Sequence, residues 1–223
     1  MAITHIVLLF FSIFMKQVAK ADSGPLVSAT DPFYLSCTVW TGKEWTPNTA
    51  RSAQTAETES SNGYRAYAKV QVTIDKDGSC DNTTELFVAP PGEATFKLVY
   101  SKTGDGNGIR LIGWSPDGDK LLGEVNIWRY ETDGGYGHVP VIYDRAKGSA
   151  TEIPALYKAL IQHFGEKCEF DFAVQRWKSN ERILLKVTKA LEDPTYEQHF
   201  CVQRPRLFIF DMKSKTLSAN PQS

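Results

Sequence analysis

Along most of the chain, apolar and polar positions alternate over short runs rich in β-branched and aromatic residues, separated by clusters of Gly, Pro, Asp and Asn. A period of two marks half-buried antiparallel strands. It predicts strands at 64–74, 85–89, 95–100, 109–114, 120–128, 139–143, 170–177, 182–187 and 206–210, most of them with one core-facing side. One segment, 152–164, breaks the period: Ile153, Leu156, Tyr157, Leu160, Ile161 and Phe164 recur at helical spacing, Pro154 sits early and Gly165 follows as a stop. The expected fold is therefore all-β with one short amphipathic helix whose apolar stripe covers a sheet.

Three segments can be written one under another in the same order: a strand ending in Trp, a second strand, a loop, a third strand and a turn. The middle unit runs through Ile109–Trp114, the turn Ser115-Pro116-Asp117-Gly118, Leu121–Ile127 and Val139–Asp144. The last follows it with Phe170–Trp177, Ile183–Val187 and Leu207–Asp211. A degraded first copy falls on Thr38–Trp40, Tyr64–Ile74, Leu86–Val88 and Phe96–Tyr100. Trp114-Ser115-Pro116-Asp117-Gly118 with Lys120-Leu121-Leu122 and the later Val-Ile-Tyr-Asp ending resembles the blade repeat of WD40-like or TolB-type β-propellers. The resemblance implies antiparallel blades, the Trp-Ser-Pro-Asp-Gly run joining the first two strands of one of them. Pro116 presets that turn, Asp117 can bond its backbone and Gly118 accepts positive φ.

Only about three such units are present, at roughly 33–100, 109–150 and 168–218 within a single domain from 22 to 223, whereas closed rings take about four to eight. The aligned Trp114 and Trp177 are also further apart than the roughly 40 to 50 residues of compact blades. The alternatives to a closed ring are an open three-bladed fan, half of a six-bladed homodimer, or an unrelated curved sheet or sandwich with the same hairpin chemistry. In an incomplete set of blades the apolar strand 206–210 is the expected free edge for self-association or a partner's strand.

Of the 223 residues 42% are hydrophobic and 23% charged, an ordinary globular balance. With 25 Lys+Arg against 26 Asp+Glu the chain lacks the positive field that selects phosphate backbones, so nucleic acid is not an expected partner. Residues 1–21 read as a secretory signal peptide, with an apolar run from Ile6 to Met15 and a small-residue ending at Ala19 and Ala21. No later run is expected to span a membrane. Export, to the periplasm or outside the cell, makes disulfides the expected state of Cys37, Cys80, Cys168 and Cys201. Four cysteines allow three pairings. In the blade arrangement Cys37 and Cys168 precede first strands while Cys80 and Cys201 lie between later ones, which implies Cys37 with Cys80 and Cys168 with Cys201.

No catalytic constellation stands out. Ser115 lacks the nucleophile elbow's second glycine and reads as a turn residue. His138, His163 and His199 show no metal-ligand spacing, so no metal and no cofactor are assigned. The acidic loops 75–82 and 104–108 read as hairpin turns rather than calcium loops. Asp144 and Asp211 read as caps of the turns after third strands, and Asn82-Thr83-Thr84 is a glycosylation sequon. Candidate binding residues are Tyr130, Asp133, Tyr136 and His138 on one loop, with Tyr196, Glu197 and His199 on its counterpart, where aromatic rings beside carboxylates suit a glycan or a protein ligand. The expected function is a non-enzymatic binding or assembly module; a secreted hydrolase with its residues on the same loop face is the alternative.

Overall fold

A computed structural model describes residues 28–129, 137–190 and 197–220, whose strands form four antiparallel sheets. β1 (Thr38–Trp40) and β2 (Trp45–Pro47) make a separate hairpin. In the first large sheet β3 (Ser52–Gln54) and β4 (Thr58–Glu59) share one edge of β5 (Arg65–Ile74), followed by β6 (Cys80–Ala89) and β7 (Lys97–Gly104). The second is the meander β8 (Asn107–Trp114), β9 (Lys120–Ile127), β10 (Gly137–Asp144) and β11 (Ser149–Glu152). After helix α1 (Pro154–Phe164) comes the third meander, β12 (Phe170–Ser179), β13 (Arg182–Lys189), β14 (Arg206–Asp211) and β15 (Thr216–Ala219). The fold is thus all-β with one short helix: four antiparallel sheets that close no barrel among the described residues.

The second sheet lies between the other two, and this explains a pattern that simple alternation misses. Leu121, Val125, Val141, Tyr143 and Ile109 pack with Ala66, Ala68, Val70, Leu86 and Val88 of the first sheet. On the opposite face Leu122 and Ile142 pack with Phe172, Val174, Ile183, Leu185 and Phe208 of the third, joined by Leu156 and Leu160 of α1. Hence β9 is buried from Leu121 to Asn126 without interruption, where a one-faced strand would alternate.

Two expectations are corrected. Strand 206–210 is not a free edge: β14 lies between β13 and β15, and Phe208 and Phe210 point into the core. The true edge, β15, is a short polar run whose pattern carries little hydrophobic signal, and α1 packs against it. Thr38–Trp40 does not open the first sheet; Trp40 pairs with Trp45 in the hairpin, and β3 with β4 take the edge position.

The turn at 115–119 behaves as its residues imply. Ser115 Oγ donates to Asp117 Oδ1 at 2.6 Å, the Lys120 amide donates to Ser115 Oγ at 2.9 Å, and Gly118 has φ of +74°. This turn is also a clasp between sheets. Asn62 Nδ2 donates to the Asp117 carbonyl at 2.7 Å, the Asp117 amide donates to Asn180 Oδ1 at 3.1 Å, and Lys120 pairs with Glu181 at 2.5 Å. Trp177 Nε1 donates to the Gly113 carbonyl at 2.8 Å. Loop 75–79 is the hairpin turn expected of it, joining the paired strands β5 and β6, whereas the 104–107 loop closes no hairpin: it carries the chain from β7 at the edge of the first large sheet to β8 at the edge of the second. The disulfides Cys37–Cys80 and Cys168–Cys201 form as the repeats imply, with Cα atoms 6.5 and 5.5 Å apart. The first ties the segment before β1 to the start of β6. The second ties the stretch between α1 and β12 to the approach to β14.

Close backbone approach makes one glycine critical. The Ile109 amide donates to the Pro32 carbonyl at 3.0 Å, and a Cβ at Gly108 would lie 2.5 Å from that carbonyl oxygen. Gly108→Ala should therefore cost about 1–3 kcal/mol in a urea melt by lifting the 31–35 segment off β8, while Gly137→Ala, with open space around it, should leave the segment in place.

Asp211 caps its turn by accepting the Lys213 and Ser214 amides at 3.1 and 3.0 Å, and Arg182 Nε donates to it at 3.0 Å. Asp144 does the same for Ala146 at 2.9 Å. The Ser214 amide first, and Arg182 next, hold the Asp211 carboxyl down at about 2. Because the folded value is depressed, the stabilisation is complete above the ordinary carboxylate range of about 4 and disappears as pH falls through about 2. An NMR titration should find the Asp211 carboxyl protonating near 2, and Arg182→Ala should move it only part of the way back.

Candidate functional site

Between the second and third sheets, on the face that carries Leu122 and Ile142, lies a charge no apolar strand would carry by default. Glu124 sits in the middle of β9 with its side chain 0% exposed. In the antiparallel register Arg110 of β8 stands directly opposite it, and its Nε donates to Glu124 Oε2 at 2.8 Å while a terminal guanidinium nitrogen bonds the same oxygen. From the third sheet the Val174 amide, beside the bulge in β12, donates to Oε1 at 2.8 Å. One carboxylate thus joins adjacent strands of one sheet to a strand of the next.

His138 completes the group. It pairs with Asn126 in the ladder, so it is the diagonal neighbour of Glu124 on the same face. Its Nδ1, buried and without an aligned hydrogen bond, stands 3.3 Å from Glu124 Oε1. The two groups are in close approach without forming a hydrogen bond. Phe33 closes over the cluster from the amino-terminal side: Arg110 lies 4.6 Å above its ring and His138 meets it edge-on at 5.8 Å. Phe33 is held there by its own amide donating to Asp31 Oδ1 at 2.9 Å. Burial raises the neighbouring Tyr34 phenol, with Arg110 opposing.

His138 lines a cleft of about 460 Å³ between the start of β10, the start of α1 and the start of β12. Pro140, Ile153, Pro154, Phe170 and Phe172 make it mostly apolar, and Tyr157, 55% exposed, stands at its mouth with its ring 6.3 Å from Phe170. Asp171, Lys158 and Glu152 supply charge. Glu152 Oε1 accepts from Tyr100 Oη and Lys102 Nζ, both at 2.9 Å. Partial burial alone would raise its carboxyl, but these two donors outweigh it and hold the group below its ordinary value. Burial first, and Glu152 second, push the Tyr100 phenol up. Asp171 Oδ1 accepts the Phe172 amide at 2.7 Å.

Of the candidate binding residues, His138 is the one placed in this cleft. Tyr130, Asp133, Tyr136 and Tyr196 lie outside the described residues. Glu197 and His199 are exposed and do not line the cleft, yet the Glu169 amide donates to the His199 carbonyl at 2.8 Å, so this loop reaches the same end of β12. Arg110, Glu124, Tyr157, Phe170 and Asp171 escaped notice in the sequence. Glu124 did leave a signal: it interrupts the run Leu121–Ile127, where a carboxylate inside a strand buried on both faces must have a partner.

Ser115 sits at the opposite end of the second sheet from His138, with its hydroxyl committed to Asp117. No group of three or more His, Cys, Asp or Glu side chains is arranged to hold a metal ion among the described residues. The sequon is closed in the fold, since Asn82 is fully buried and its Nδ2 donates to the carbonyls of Leu35 and Asn107, both at 2.7 Å.

Removing one partner of a buried ion pair strands the other. Glu124→Ala should lower unfolding free energy by about 3 kcal/mol, towards the weaker end of the range for buried pairs because Arg110 keeps 38% exposure. The double variant Glu124→Leu with Arg110→Met should recover most of that loss in the same denaturation experiment. Compared with known proteins, the chain matches no family model and no curated relative.

Proposed function

We propose that this chain is an exported, non-enzymatic binding module of three propeller-like blades, and that the cleft beside His138 receives its ligand. The carrying observation is that cleft: about 460 Å³, mostly apolar, with a few charged groups and a histidine backed by a buried carboxylate. Its size lies within the range of about 300–1,000 Å³ usual for small-ligand sites. Export is supported by the two disulfides, and no described helix is long and apolar enough to cross a membrane. The propeller-like reading is supported by the three successive antiparallel meanders and by the Trp-Ser-Pro-Asp-Gly turn between the first two strands of the second.

A fragment screen observed by protein NMR tests the assignment. Fragments with an aromatic body should shift the signals of His138, Tyr157 and Phe170 together, and Tyr157→Ala, a change at an exposed position, should abolish those shifts without altering the rest of the spectrum. Fragments that bind only elsewhere, or no hits at all, would overturn it.

A further inference from the structure

We propose that the cleft takes a neutral saccharide residue, held through its hydroxyl groups; this rests on the cleft being the ligand site. The cleft's polar lining comes from His138, Asp171, Glu152 and Lys158, set among apolar walls.

Two of these are carboxylate acceptors. Asp171 and Glu152 both line the cleft, and the hydrogen bonds named for them fall on one oxygen of each carboxylate, Oδ1 and Oε1. Two carboxylates around one space call for a ligand rich in donors. That ligand need not be cationic, because Lys102 already neutralises Glu152 at 2.9 Å and Lys158 shares the cleft with Asp171. Hydroxyl groups meet the requirement without adding charge.

The walls fit the same chemistry. Tyr157 and Phe170 lie 6.3 Å apart with their planes tilted by 40°, and Pro140 and Pro154 extend the apolar lining. Flat apolar surfaces beside acceptors match a pyranose ring, which has C–H groups on its faces and hydroxyls on its rim. A carboxylate accepting from adjacent hydroxyls makes charge-assisted hydrogen bonds, stronger than neutral ones.

The test uses the chain from residue 22 with its disulfides intact, probed against arrays of neutral oligosaccharides, uronate-bearing oligosaccharides and Lys- or Arg-rich peptides, followed by calorimetry. Neutral oligosaccharides should bind. Tyr157→Ala and Asp171→Ala, both at exposed positions, should each weaken binding about tenfold or more, the loss of one good contact. His138→Phe should do the same with the thermal melt as its control for folding. Binding of peptides or uronates alone, lost in the same variants, would overturn the saccharide assignment and leave the cleft as the ligand site. Neutral oligosaccharide binding that ignores all three substitutions would place the sugar elsewhere and overturn the proposal. If no probe binds while fragments still shift His138 and Tyr157, the saccharide class fails alone.

Discussion

The buried carboxylate of Glu124 is the constraint around which the second and third sheets are arranged. A charge removed from water is tolerated only when its lone pairs are met by donors with good geometry. Here the donors come from two directions, Arg110 across the ladder and the Val174 amide from the neighbouring sheet, with His138 Nδ1 3.3 Å away. A slip of one residue between β8 and β9 would turn Arg110 to the other face and leave the charge unpaired, so the ion pair specifies register as well as packing. The Val174 contact does the same for how the third sheet meets the second. Phe33, from a segment well before any of these strands, caps the arrangement and draws the amino-terminal stretch into it.

The two ends of the stacked sheets do different work. At one end the turns clasp each other through Asn62, Asp117, Asn180, Lys120 and Glu181, which makes that end a set of cross-links between sheets. At the other end the strands start in loops, the helix approaches, and the cleft opens over His138. Rigid turns at one end and a concave surface at the other is the usual division between scaffold and binding loops. The disulfide Cys168–Cys201 lies on the cleft side, fixing the approach to β12 whose residues 170–172 form one wall.

The glycosylation sequon shows how a short motif can be correct as a pattern and wrong as a site. Asn82-Thr83-Thr84 has the acceptor spacing, but Asn82 lies within β6 and spends its amide on two backbone carbonyls in the interior. Solvent exposure, which the chemistry requires, is a property of the stacked sheets and not of three residues. The free edge expected at 206–210 failed for a related reason. Its apolar character came from burial under β13, β15 and α1, and the strand that does form the edge is too short and polar to announce itself.

What the sequence determined by itself was local: the period-two strands, the single helix with Pro154 and Gly165 at its ends, the Ser115–Gly118 turn, the aspartate caps at Asp144 and Asp211, and the pairing of the cysteines through their places in the repeat. Each rests on neighbours within a few residues or on a repeating unit. The tertiary structure alone decided that the second sheet is buried on both faces, and therefore that Glu124 is a buried ion needing Arg110 and Val174, residues 14 and 50 positions away along the chain. It alone decided that Tyr157, Phe170 and His138, drawn from a helix and two different sheets, line one cleft. Burial and convergence depend on how sheets stack, and stacking is set by the shape of whole faces, which no local pattern of residues encodes.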